Sequence, residues 1–157
     1  GDIINSNIKS AKNSLASSAA HSTLSIDDRN NIDLTGKRKV KVFNVKYGQT
    51  KEGNLLDATH SGYETIFGVN HKRQIYLSHK KNQIRGKDEI INVGNIELTN
   101  VSAELTSLSN LVEISNSSQQ YGSSEILPNE TSLNNEYFEI YVKSACDGLG
   151  IYSSFHL

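Results

Sequence analysis

One cysteine and five histidines are the residues of this chain best suited to nucleophilic or metal chemistry. Cys146 lies in SACDGLG, a stretch that reads as a turn. A loop thiol becomes a nucleophile when a neighbouring imidazole lowers its pKa. The available partners are His21, His60, His71, His79 and His156, and none forms a protease signature with Cys146. A hydrolase using Cys146 and a histidine is one reading. A small, partly buried residue at a strand end is the plainer one.

His60 follows Asp57 by three residues in DATHSGYE, a pairing with the donors for a metal or a base. His71 and His79 flank a predicted turn at 70–73. HExxH, CxxC and clustered carboxylate–histidine spacings are all missing, so no metal is expected. Asp27, Asp28, Asn31 and Asp33 crowd one loop, but the glycine and glutamate of an EF-hand are not in place. GxGxxG and GxxxxGK[ST] do not occur, and no cofactor is expected. The C-terminal carboxylates are too scattered to nominate a glycosidase pair. Asn100, Asn116 and Asn129 head N-glycosylation sequons, a near-chance yield in a chain so rich in Asn and Ser.

Charge is the stronger signal. Residues 37–87 hold twelve Lys or Arg against three acids, a balance of +9; residues 88–157 hold one base against ten acids, a balance of −9. Three readings follow. Basic and acidic strands pair across a sheet, each exposed pair contributing about 0.2–1 kcal/mol. Alternatively, two opposed faces dock subunit to subunit. In the third reading a basic patch meets an anionic glycan or phosphate. The binding candidates are Lys37, Arg38, Lys39, Lys41, Lys72 and Arg73. Lys37, Lys39 and Lys41 share one strand parity. Nucleic acid is disfavoured by a pI near 6.6 and by the missing motifs. Tyr63, Tyr137 and Tyr141 are candidates for an aromatic face that meets a sugar or a protein, or that simply covers a sheet.

The elements that must position these groups are mostly strands. At 157 residues the chain fits one domain with its own core. Residues 1–26 form a separate N-terminal segment, where Ile4, Ile8, Ala11 and Leu15 recur at helical spacing. Residues 27–157 read as an antiparallel β-rich domain. Val40 and Val42 then Phe43, Val45 and Tyr47 switch parity, which predicts a bulge near 42–43. Residues 63–69 and 74–79 alternate and predict a hairpin around 70–73. Residues 89–98 and 101–105 read as further strands. The stretch 115–135, with the single proline Pro128, reads as a long surface loop. Residues 137–143 and 151–157 predict a closing hairpin. The fold expected is mainly β, or α+β: an antiparallel sandwich or curled sheet preceded by an N-terminal helical segment.

In outline this layout resembles a truncated pilin-like subunit or a trimeric receptor-binding head, although a single cysteine forbids the C-terminal disulfide common in the former. The missing catalytic motifs, the polar Ser- and Asn-rich composition and the two charged halves point to a non-enzymatic secreted or cell-surface protein, an assembly subunit or adhesin-like module with a protein partner or itself as partner. A toxin or effector acting on anionic membrane or glycan is the alternative. The chain opens on Gly1 and contains no Met, which reads as a processed or truncated sequence. No apolar run is long enough to span a bilayer.

Overall fold

The computed structural model describes residues 11–18, 23–81, 83–106, 112–121, 125–133 and 137–142. Residues 11–16 are helical. Eleven strands follow: β1 (Val42–Gln49), β2 (Gly53–Tyr63), β3 (Val69–Ser78), β4 (Gln83–Asn92), β5 (Leu98–Thr99), β6 (Ser102–Glu104), β7 (Val112–Ser115), β8 (Ser118–Gln120), β9 (Glu125–Ile126), β10 (Thr131–Leu133) and β11 (Phe138–Val142). The main sheet runs β1-β2-β3-β4-β11-β7, with β10 also paired to β4, and every pairing is antiparallel. Two ribbons, β5–β9 and β6–β8, complete the fold. The expected mainly-β, antiparallel architecture with a helical segment near the N-terminus is thus present.

Three local expectations are revised. Residues 70–73 are not a turn: β3 runs straight through them, and the reversal is made by the four-residue helix Glu64–Phe67, ended by Gly68 at φ +66°. The alternation read at 63–69 therefore belongs to two elements. Residues 115–135 are not one loop, because β8, β9 and β10 lie within them. The bulge in β1 falls between Phe43 and Lys46, with Asn44 at φ +52°. Asn100, Asn116 and Asn129 also take positive φ, so several asparagines do the backbone work more often given to glycine. The predicted strand at 151–157 lies outside the described residues.

Side chains alternate across a sheet, so the register assigns each residue a face. Val69, Ile90, Phe138 and Ile140 point to one face and are buried. Two apolar clusters form there. Leu24, Tyr63, Val69, Ile90, Tyr121 and Ile126 make the first; Leu105, Val112, Phe138 and Ile140 make the second. The cover stops short of the β1 edge, where Leu56 and Leu77 stay exposed. Gly86 is required by this packing, since an added Cβ would lie 1.7 Å from the Phe138 ring. The opposite face carries Lys72, Gln74, Tyr76, Arg85, Lys87 and Glu89, a polar and half-exposed surface.

Candidate functional site

On the covered face, β2, β3 and β4 bring His60, His71 and Asp88 into one row. The backbone N–H of Gly62 donates to His60 Nδ1 at 3.0 Å. That fixes the His60 proton on Nε2, which lies 3.1 Å from His71 Nδ1. His71 Nε2 in turn lies 2.8 Å from Asp88 Oδ1. Arg73 closes the row, with Nε 2.7 Å from Asp88 Oδ1 and Nη2 3.1 Å from Oδ2. Its guanidinium sits 5.9 Å from the Phe138 ring centroid.

The electrostatics fit two neutral imidazoles beside one ion pair. Burial first, with the Arg73 charge adding to it, holds His60 down to about 4. Burial also lowers His71, overriding the hydrogen bond to Asp88. Burial opposes ionisation of Asp88, yet the hydrogen bonds from His71 and Arg73 and the Arg73 charge prevail and hold it at about 2. Every ring nitrogen of the pair is engaged. A general base needs a lone pair free to face its substrate. In this row each imidazole lone pair already accepts a hydrogen bond, and the row links β2, β3 and β4.

The polar face is open. Leu55 from β2, Gln74 and Tyr76 from β3, Arg85 and Lys87 from β4, and Tyr137 line a groove of about 330 Å³. A second hollow of about 190 Å³ shares Tyr76 and Arg85 and adds Glu52, Ser78, Lys80, Lys81 and Gln83. Tyr137 is 52% exposed, and Lys87 Nζ stands 5.3 Å from its ring centroid. Arg85 Nε lies 3.0 Å from Glu139 Oε1 as an ion pair, without the alignment of a hydrogen bond. Tyr76, Tyr137, Arg85, Lys87 and Gln74 therefore meet in the first groove, a combination suited to a polar, negatively charged chain.

The six predicted binding residues are placed apart. Lys37, Arg38, Lys39 and Lys41 precede β1, with the three lysines exposed. They are not a strand, so the shared parity does not apply. Lys72 is held on the polar face between Glu89 at 2.9 Å and Asp57 at 3.6 Å, and the Glu89 hydrogen bond raises its pKa. Arg73 belongs to the buried row on the other face. Lys72–Glu89, Arg73–Asp88 and Arg85–Glu139 each join the basic half of the sequence to the acidic half across neighbouring strands. Along this sheet the opposed charges pair strand by strand. Of the three tyrosines, Tyr63 is fully buried while Tyr137 and Tyr141 are exposed. Cys146, His21 and His156 lie outside the described residues. His60 and Asp57 point to opposite faces. Sequence reasoning missed Asp88 and Lys87, whose roles appear only once β3 and β4 are in register.

No group of three metal-binding side chains of the His, Cys, Asp and Glu types occurs among the described residues. None of their helices is long and apolar enough to cross a membrane. A family model described as Heparinase II/III-like, C-terminal matches residues 4–142. No curated protein and no solved structure gives a significant match. The family is one of polysaccharide lyases. The match overturns the non-enzymatic reading, whether assembly subunit or adhesin-like module, and points to a glycan-acting enzyme.

Proposed function

We infer the function of this chain from one premise: it belongs to the Heparinase II/III-like, C-terminal family. We propose that it supplies a glycan-contacting sheet to an enzyme that degrades an anionic polysaccharide. The groove between Tyr76 and Tyr137 is the contact surface. Its role is to bind and orient the chain. The observation that carries the reading is the pairing of exposed Tyr137 with Lys87 beside Arg85 and Gln74. A sugar ring lays its C–H face on a tyrosine ring, and the adjacent cations meet its sulfate or carboxylate groups. Binding to such a polymer is electrostatically steered and weakens with salt. A secreted or cell-surface location is part of this proposal, because that is where a large acidic polysaccharide is met.

Calorimetric titration with a heparin-type oligosaccharide tests it. Tyr137→Ala and Lys87→Gln should each weaken affinity about tenfold, the loss of roughly 1.4 kcal/mol. Unchanged affinity in both folded variants would remove the groove from the site.

A further inference from the structure

A third pocket, of about 460 Å³, opens where the loop before β1 meets the helix Glu64–Phe67. Arg29, Asn30, Asp33, Thr35, Arg38 and Thr65 supply its polar lining. Two features set its arginines apart. Lys72, Arg73, Lys80 and Arg85 each lie within ion-pair distance of a carboxylate, whereas Arg29 and Arg38 do not pair with one among the described residues. Arg38 Nε is also buried with no hydrogen-bond partner, while Nη2 reaches the Asn30 carbonyl at 3.3 Å. An unpartnered buried donor is uncommon and calls for an acceptor.

Asp33 is the nearest carboxylate in the lining, and its oxygens are already occupied. Oδ1 accepts from the Thr35 hydroxyl and backbone N–H at 2.6 and 2.9 Å, and Oδ2 from the Arg38 backbone N–H at 2.6 Å. The Thr35 hydroxyl in particular holds Asp33 at about 2, so it stays ionised and engaged with its own loop. The loop itself is pinned. Tyr63 donates its hydroxyl proton to the Leu24 and Arg29 carbonyls, and Asn31 bonds to Ser18 and Thr23. The two guanidinium groups therefore stand on a fixed frame.

We propose that this pocket is an oxyanion site that takes a sulfate-type group, with Arg38 Nε and Arg29 as its donors. The site is separate from the Tyr76–Tyr137 groove and does not depend on it. A guanidinium fork matches two oxygens of such a group, and a free sulfate and a sulfated sugar share that chemistry.

Inorganic sulfate titrated into the full chain, followed by backbone amide shifts, tests the site. Saturable shifts at Arg29, Asn30, Thr35 and Thr65 are expected. Arg38→Gln and Arg38→Lys should each weaken binding at least about tenfold, the second because lysine keeps the charge and loses the fork. Tyr137→Ala should leave sulfate affinity unchanged, so the pocket and the groove can fail separately. Competition by a sulfated disaccharide, but not its desulfated form, would assign the pocket to a glycan; its absence would assign it to the free anion. Linear shifts without saturation would overturn the site, as would undiminished affinity in folded Arg38→Gln. If Arg38 variants do not fold, Arg29→Gln on the exposed side chain carries the same outcomes.

Discussion

His60 Nε2 lies 3.1 Å from His71 Nδ1, and the Gly62 amide on the far side of His60 settles which ring gives the proton and which receives it. The row is thus ordered in one direction from β2 to Asp88 on β4, with both imidazoles neutral.

Acid should loosen the fold through this row. An imidazole in the unfolded chain titrates near 6.5, whereas His60 in the fold is held down to about 4 by burial. Between those values the unfolded state binds a proton that the folded state refuses, so stability falls as pH drops from about 6.5 toward 4. His71 is shifted the same way and adds to the loss. Asp88, held at about 2, keeps its charge through this window and gives up its contribution only below it. Urea unfolding at pH 7 and pH 4.5 should differ by on the order of 2–3 kcal/mol. His60→Gln should flatten the difference. A flat wild-type profile would count against neutral imidazoles.

Asp88→Asn should be among the most damaging single changes. It takes the Asp88 charge away from the Arg73 guanidinium, which is only 14% exposed on the covered face. Breaking such a buried pair costs about 3–5 kcal/mol. Glu52→Gln is the contrast. Its partner Lys80 and Glu52 are both 71% exposed, and losing that pair should cost under about 1 kcal/mol. Denaturation midpoints at neutral pH compare the two.

Gly86→Ala should strain the second apolar cluster, because its methyl would enter the Phe138 ring. Overpacking of this kind costs about 1–3 kcal/mol. Combined with Phe138→Leu the methyl gains room, so the double variant should lose less than the sum of the two single losses. A double-mutant cycle that adds without coupling would show that the ring can move aside.

Much of this was legible in the residues. The strands read at 38–47 and 137–143 located β1 and β11, although β1 begins only at Val42, and the helical spacing near the N-terminus matches helix at 11–16. The tyrosine face was half visible: Tyr137 lines the groove and Tyr141 is exposed, but nothing local distinguishes them from buried Tyr63. Registers were the missing quantity. Lys72 and Arg73 look like one basic cluster until Glu89 and Asp88, seventeen and fifteen residues downstream, arrive beside them on β4. Asn70–Arg73 looked like a turn because polar residues interrupt the apolar pattern. Those residues face a buried polar row on one side and a charged surface on the other, so β3 never needed apolar alternation there.

Tyr63→Phe should release the N-terminal segment without dissolving the sheet. The hydroxyl donates to the Leu24 carbonyl at 2.6 Å and the Arg29 carbonyl at 3.0 Å. Its removal leaves the Leu24 carbonyl short, while the Arg29 carbonyl keeps only the 3.5 Å contact from the Ser25 hydroxyl, at about 1–3 kcal/mol. Hydrogen exchange should quicken across 24–31 and stay slow in β3 and β4. Uniform acceleration everywhere would show that the segment is integral to the sheet.

The alternation of β3 has a consequence for how this domain tolerates change. Inserting a single residue early in the strand would transpose its sides, turning Gln74 and Tyr76 inward and Arg73 outward, away from Asp88 on β4. Ligand capture and thermodynamic survival would then be lost together, although they draw on no common side chain. Between Lys72 and Arg73, immediate neighbours in the polypeptide, evolution has two independent dials set on one shaft.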